Sequence, residues 1–133
     1  MAVRENQNAV SHTAGSTFAN TDLYKFVELN SSGHVVIGAT TNAGNVIGTL
    51  LGVTGTTAGA GSEIVPVGLL EGIGKVRMGG STLAAGNAIS ASTDGFGVAP
   101  STNNLQLGII KSGSSGTTGR VHSVQFVRGL TNA

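Results

Sequence analysis

Cysteine and tryptophan are absent from this chain of 133 residues, proline occurs twice, and only 10% of positions carry Asp, Glu, Lys or Arg. Without cysteine there is no disulfide, no thiolate metal site and no thiol nucleophile. The charge deficit excludes more, because a globular domain usually carries about 25% charged residues. Seven basic and six acidic side chains leave a formal net charge of +1. That field is too weak to recruit nucleic acid or an anionic membrane surface. The opening stretch, Met1-Ala-Val-Arg-Glu-Asn-Gln-Asn8, has no apolar h-region, so no Sec-type export is expected. No segment approaches the ~18 apolar residues of a membrane span. Aromatic residues are only 4%, namely Phe18, Tyr24, Phe26, Phe96 and Phe126, so the core has to be aliphatic.

What the chain does contain is glycine, 22 residues of it, among short runs of Val, Ile and Leu. Such runs, broken by Gly, Ser, Thr and Asn, read as strands at 23–29, 34–39, 45–53, 63–70, 72–78, 88–91, 95–99, 105–111 and 120–128. Asn30-Ser31-Ser32-Gly33 and Asp94-Gly95 read as hairpin turns. Pro66, inside a strand-like run, is expected at an edge or a bulge. Glycines within the strands, Gly48, Gly68, Gly97 and Gly108 among them, favour tight curvature or close backbone approach. No window keeps helical spacing, and the one candidate helical turn is 81–86. The expected fold class is therefore mainly β: a small, strongly curved barrel or sandwich with at most one short helical turn. Residues 1–22 are polar, with isolated apolar residues at no fixed period. They are expected to form an extended N-terminal arm held by a neighbouring subunit, with Val3, Val10 and Phe18 as its anchors. Residues 23–133 then form a single β-barrel-like domain.

The chemical motifs fail on spacing. Gly72-Ile-Gly-Lys75 is followed by Val76 where a phosphate loop needs Ser or Thr. His12, His34 and His122 lie too far apart in sequence to form a paired metal-ligand motif. Gly113-Ser-Ser-Gly116 lacks the spacing of a nucleophile elbow. Glu63 and Glu71 are expected as solvated strand ends. The last strand, Arg120 to Arg128, alternates basic residues with Val124 and Phe126, the nearest approach to a nucleic-acid surface, but a barrel strand with charged ends explains it better. The expectation is a non-enzyme without cofactor or metal, binding neither nucleic acid nor membrane.

The order of elements carries a resemblance. The opening strand Tyr24-Lys-Phe-Val-Glu-Leu29 is followed by Val46-Ile-Gly-Thr-Leu-Leu-Gly-Val53, Glu63-Ile-Val-Pro-Val67 and Gly74-Lys-Val-Arg-Met78. Then come Leu83-Ala-Ala-Gly-Asn-Ala-Ile-Ser-Ala-Ser-Thr-Asp-Gly95, Leu107-Gly-Ile-Ile110 and a closing apolar strand. From Tyr24 to Val127 this resembles the small capsid decoration, or head cement, proteins of tailed bacteriophages. The resemblance implies a structural virion protein, present in the host cytoplasm during assembly, that binds the outside of an assembled capsid. Its implied partners are the major capsid protein and itself, as a homotrimer, with no catalytic residues. A phage tail or fibre component, or a receptor-binding module, is the alternative.

Overall fold

The computed structural model describes residues 8–38, 45–53, 63–80, 83–101, 105–112 and 118–127. The mainly-β expectation holds. The named strands are β1 (Ala9–Thr13), β2 (Phe26–Leu29), β3 (Val35–Ile37), β4 (Gly48–Leu50) and β5 (Ile64–Leu69), then β6 (Ile73–Arg77), β7 (Ala88–Ala91), β8 (Gly97–Val98), β9 (Gly108–Ile110) and β10 (Val121–Phe126). They form two five-stranded antiparallel sheets, ordered β1-β5-β4-β2-β3 and β6-β10-β9-β7-β8. A single parallel bridge joins the outer strands of each: Ala14 to Val35 in the first and Met78 to Gly97 in the second. Both sheets therefore curl until their edges touch, which hides the edge groups that would otherwise recruit other chains.

The two orders are the same order. Each sheet places its first strand beside its fifth, then its fourth, second and third, and the registers coincide as well. Ala9 faces Gly68 as Ile73 faces Gln125. Val27 faces Gly48 as Ile89 faces Gly108. Leu29 faces Val35 as Ala91 faces Gly97. The connecting hydrogen bonds repeat too: the Ala14 N–H donates to Glu63 O as Met78 does to Arg120 O, and Tyr24 donates to Leu50 O as Gly86 does to Ile110 O. Tyr24 even shares the positive φ of Gly86, 67° against 91°, a conformation that disfavours a side chain by about 1–2 kcal/mol. The chain is thus two copies of one five-stranded unit, unit 1 ending at β5 and unit 2 starting at β6.

Each unit has its own core. Ala14, Phe18, Val27, Val35, Leu50, Val65 and Val67 fill the first. Val76, Met78, Ile89, Leu107, Ile110, Val124 and Phe126 line the second, where Phe26 and Val46 of unit 1 join them. This division corrects two expectations. Residues 23–133 are not one barrel, since the first curled sheet needs β1 and the second begins only at Ile73. Nor is the described part of residues 1–22 an extended arm held by a neighbour. Residues 9–13 pair with β5 from Ala9↔Gly68 to Thr13↔Ile64, and Phe18 is 2% exposed in the first core. The strand is poor in apolar residues because Ala9, Ser11 and Thr13 occupy its outer face, so its sequence resembles a polar tail. The helical turn forms at Asn20–Asp22; of the expected turn at 81–86, residues 81–82 lie outside the described residues and the rest is a bridge and a turn ending at Gly86. Two stretches rich in Gly, Thr and Ser, which the sequence marks as polar loops at 54–62 and 112–119, lie outside the described residues wholly in the first case and at 113–117 in the second.

Pro66 sits in a central strand after all, between β1 and β4. It is tolerated because the β4 pairing ends at Leu50↔Val67. Beyond that point Pro66 only has to accept, from the Leu51 N–H at 3.0 Å, and its missing donor is not needed.

Candidate assembly interface

The joint between the units shows what each surface of the unit can hold. The segment Leu23–Phe26 of unit 1 runs along unit 2. Arg77 clamps it: its backbone N–H donates to Tyr24 O (2.9 Å) and its Nε to Leu23 O (2.8 Å), while Nη1 reaches Gly119 O (2.8 Å). Two cation–π contacts cross the joint in opposite directions. Lys25 Nζ lies 4.8 Å from the Phe96 ring centroid and Lys75 Nζ lies 5.7 Å from that of Tyr24; each such contact contributes about 0.5–1 kcal/mol where solvent reaches it. Phe26 turns away from its own unit and is fully buried in the other unit's core. Its N–H donates to Gly95 O at 2.7 Å.

That last bond seats a hairpin turn of unit 2 in a slot of unit 1. The turn is Ser92–Gly95: Gly95 N–H donates to Ser92 O, and the Ser92 N–H to Phe96 O. Its counterpart in unit 1 is Asn30–Gly33, with Gly33 donating to Asn30 O and Asn30 to His34 O. Gly33 and Gly95 share a left-handed backbone, φ 79° and 83°. Asn30 Oδ1 accepts from the Ser32 and His34 N–H groups, where Ser92 Oγ accepts from Phe96 alone. The surroundings differ. A Cβ on Gly95 would meet Ile37 Cγ2 at 2.8 Å and Phe26 O at 2.9 Å, whereas one on Gly33 would meet nothing within 4 Å. One prediction follows from that contrast. Gly33→Ala should cost about 1–2 kcal/mol, the left-handed penalty alone. Gly95→Ala should cost about 1–3 kcal/mol more for the collision, read as separate denaturation midpoints.

The expected arm anchors have separate fates. Phe18 is spent inside the first core, Val10 remains 43% exposed, and Val3 lies outside the described residues. Beside Val10 the outer face of β1 and β5 presents Ala9, Ser11, Ile64 and Pro66, and no ionisable group. Ile64 is 70% exposed. Sequence reading missed this face because β1 was not recognised as a strand. No protein-family model matches the chain, and no curated protein matches it. Among the described residues no group of three His, Asp or Glu side chains lies close enough to hold a metal ion. His122 is buried, with Nδ1 3.1 Å from Ser112 O. It occupies the register position that Val65 fills in unit 1, so it is a core substitution within the repeat. No helix among the described residues is long and apolar enough to cross a membrane.

Proposed function

We propose that this is a structural protein of a phage virion, which docks on the outer surface of an assembled capsid and reinforces it. The observation that carries this reading is the uncharged outer face of β1 and β5, with Ile64 70% exposed at one end of it. Ile64 and Pro66 are exposed two residues apart on this face, with Ala9 exposed on the paired strand, and an apolar group of that kind, unlike a single bare side chain, is what an interaction surface offers. A face without ionisable groups can be covered without the cost of burying charge. The resemblance of Tyr24–Val127 to head cement proteins gives that surface its identity, the major capsid protein, and many copies on a symmetric lattice make modest individual contacts sufficient. The protein's own oligomer in this reading is a homotrimer.

The test is co-sedimentation of the protein with assembled shells of its cognate major capsid protein. Saturable binding is expected. Ile64→Asp should retain the fold and weaken binding at least about tenfold, since a buried Ile contributes about 1.5–3 kcal/mol and 1.4 kcal/mol is tenfold. A protein that leaves shells bare at every concentration would overturn the proposal.

A further inference from the structure

The first strand has an open edge. The Leu69 N–H donates to Asn8 O and the Ala14 N–H to Glu63 O. By alternation Val10 and His12 turn their backbone groups toward β5, while Ala9, Ser11 and Thr13 turn theirs away from it. The bridge from Ala14 to Val35 covers that outer edge at the end of the strand, not along Ala9–Thr13. There the outward N–H groups have no backbone acceptor among the described residues. Ala9, Val10 and Ser11 are exposed, and His12 and Thr13 become half-buried as the seam closes.

Unit 2 protects the equivalent edge. Phe126 N–H donates to Gly72 O and Met78 N–H to Arg120 O, so Ile73, Lys75 and Arg77 turn outward. Charge on an edge strand guards it against pairing with other chains, and here the charged residues are also engaged. Arg77 N–H donates to Tyr24 O at 2.9 Å, and Lys75 lies over the Tyr24 ring. At those register positions β1 has Ser11 and Thr13, and neither charge nor proline guards it. Val10 supplies an observation independent of hydrogen bonding. Its cross-strand partner Val67 is fully buried, and paired residues point to the same side of a sheet. Val10 therefore faces the core side, yet it is 43% exposed because the sheet ends beside it.

We propose that β1 is a strand-addition site, which takes an extended segment of another polypeptide alongside Ala9–Thr13. The occupant is an uncharged strand with an apolar side chain next to Val10, since Ala9, Ser11 and Thr13 offer no ionic partner. Main-chain hydrogen bonds to Ser11 and Thr13 hold it, and the apolar side chain completes the cover over Val10 and sets the register. The edge is already fixed by β5, so only the incoming segment has to be ordered. This inference stands apart from the capsid reading.

The probe is the uncharged peptide acetyl-Ser-Val-Thr-Val-Ser-amide, titrated into the full chain and followed by amide NMR. Saturable shifts with a Kd below about 1 mM are expected at Ala9, Ser11 and Thr13, with slower hydrogen exchange at Ser11 and Thr13. Ser11→Lys, which gives this edge the guard of unit 2, should bind at least about tenfold more weakly. The same peptide N-methylated at every residue cannot donate main-chain hydrogen bonds and should not bind, a control that leaves the protein unaltered should Ser11→Lys fail to fold. The proposal is overturned by any of four results: no saturable shift, equal binding of the N-methylated peptide, a folded Ser11→Lys that binds like the wild type, or shifts confined to Ile64 and Pro66. Peptide binding at β1 by a protein that leaves shells bare would uphold this inference and sink the capsid reading.

Discussion

A chain lacking residues 1–18 is expected to lose the fold of unit 1, not merely a binding segment. The deletion removes β1, whose five residues pair with β5, and with it the bridge from Ala14 to Val35 that brings the sheet edges together. It also removes Phe18, which lies in the first core beside Val27, Val65 and Val67. Emptying a buried phenylalanine site alone costs about 3–5 kcal/mol. Each lost backbone hydrogen bond adds about 0.5–1.5 kcal/mol. Together these approach the ~5–15 kcal/mol that holds an entire small protein folded. Unit 2 would suffer in turn, since Phe26 and Val46 complete its core from the other side of the joint. Amide spectra of the truncated protein should show random-coil shifts for β2–β5, and Phe18→Ala alone should lower the denaturation midpoint markedly. A truncated protein that melts like the full chain would show that β1 is dispensable and that the leader acts as a detachable arm.

The leader illustrates what the sequence conceals. β7 was legible to the residue, Ala88–Ala91, because Asn87 and Ser92 bracket a short apolar run. Both hairpin turns were legible because Gly33 and Gly95 are required at positive φ. The strands read at 45–53 and 105–111 were several residues too long, since apolar residues continue past the last ladder pair. β1 was illegible for the opposite reason: its partner lies more than fifty residues away and half its side chains face outward.

The duplication left almost nothing to see. Among matched positions, Gly15 and Gly79, Gly33 and Gly95, Val36 and Val98, Gly48 and Gly108, and Val67 and Val124 are the same residue. Everything else has changed, and the spacing drifts from 64 residues between Ala9 and Ile73 to 57 between Gly68 and Gln125. What survives is mostly what the backbone demands. Gly15 and Gly79 lie where the sheet edges meet, donating to Val35 O and Gly97 O at 2.7 and 2.8 Å. The joint was equally hidden, because Phe26 alternates correctly for a strand but serves the core of the other unit. Only the paired registers show which face of a strand belongs to which core.

Those surviving positions set the second large expectation. Gly48→Ala and Gly108→Ala should each destabilise the protein by about 3 kcal/mol, at the upper end of the overpacking range. A Cβ on Gly48 would collide with the Gly68 carbonyl oxygen and lie 2.7 Å from Val67 Cγ1. One on Gly108 would lie 2.5 Å from Val124 Cγ1 and 2.7 Å from Gln125 O. These are register-equivalent neighbours, Val67 with Val124 and Gly68 with Gln125. In both cases the obstacle includes the main chain of the paired fifth strand, so no rotamer change relieves it and the strands must separate. Hydrogen exchange should localise the damage: Gly48→Ala should lower protection across β4 and β5, and Gly108→Ala across β9 and β10. Exposed-surface substitutions usually stay within about 0.5 kcal/mol, and an alanine variant that mild would mean the strands can part without cost. Because the same collision recurs at the same register in two units that share so few side chains, close approach of the fourth and fifth strands is a condition of the unit's curvature. A glycine there is what allows a sheet this short to bring its edges together.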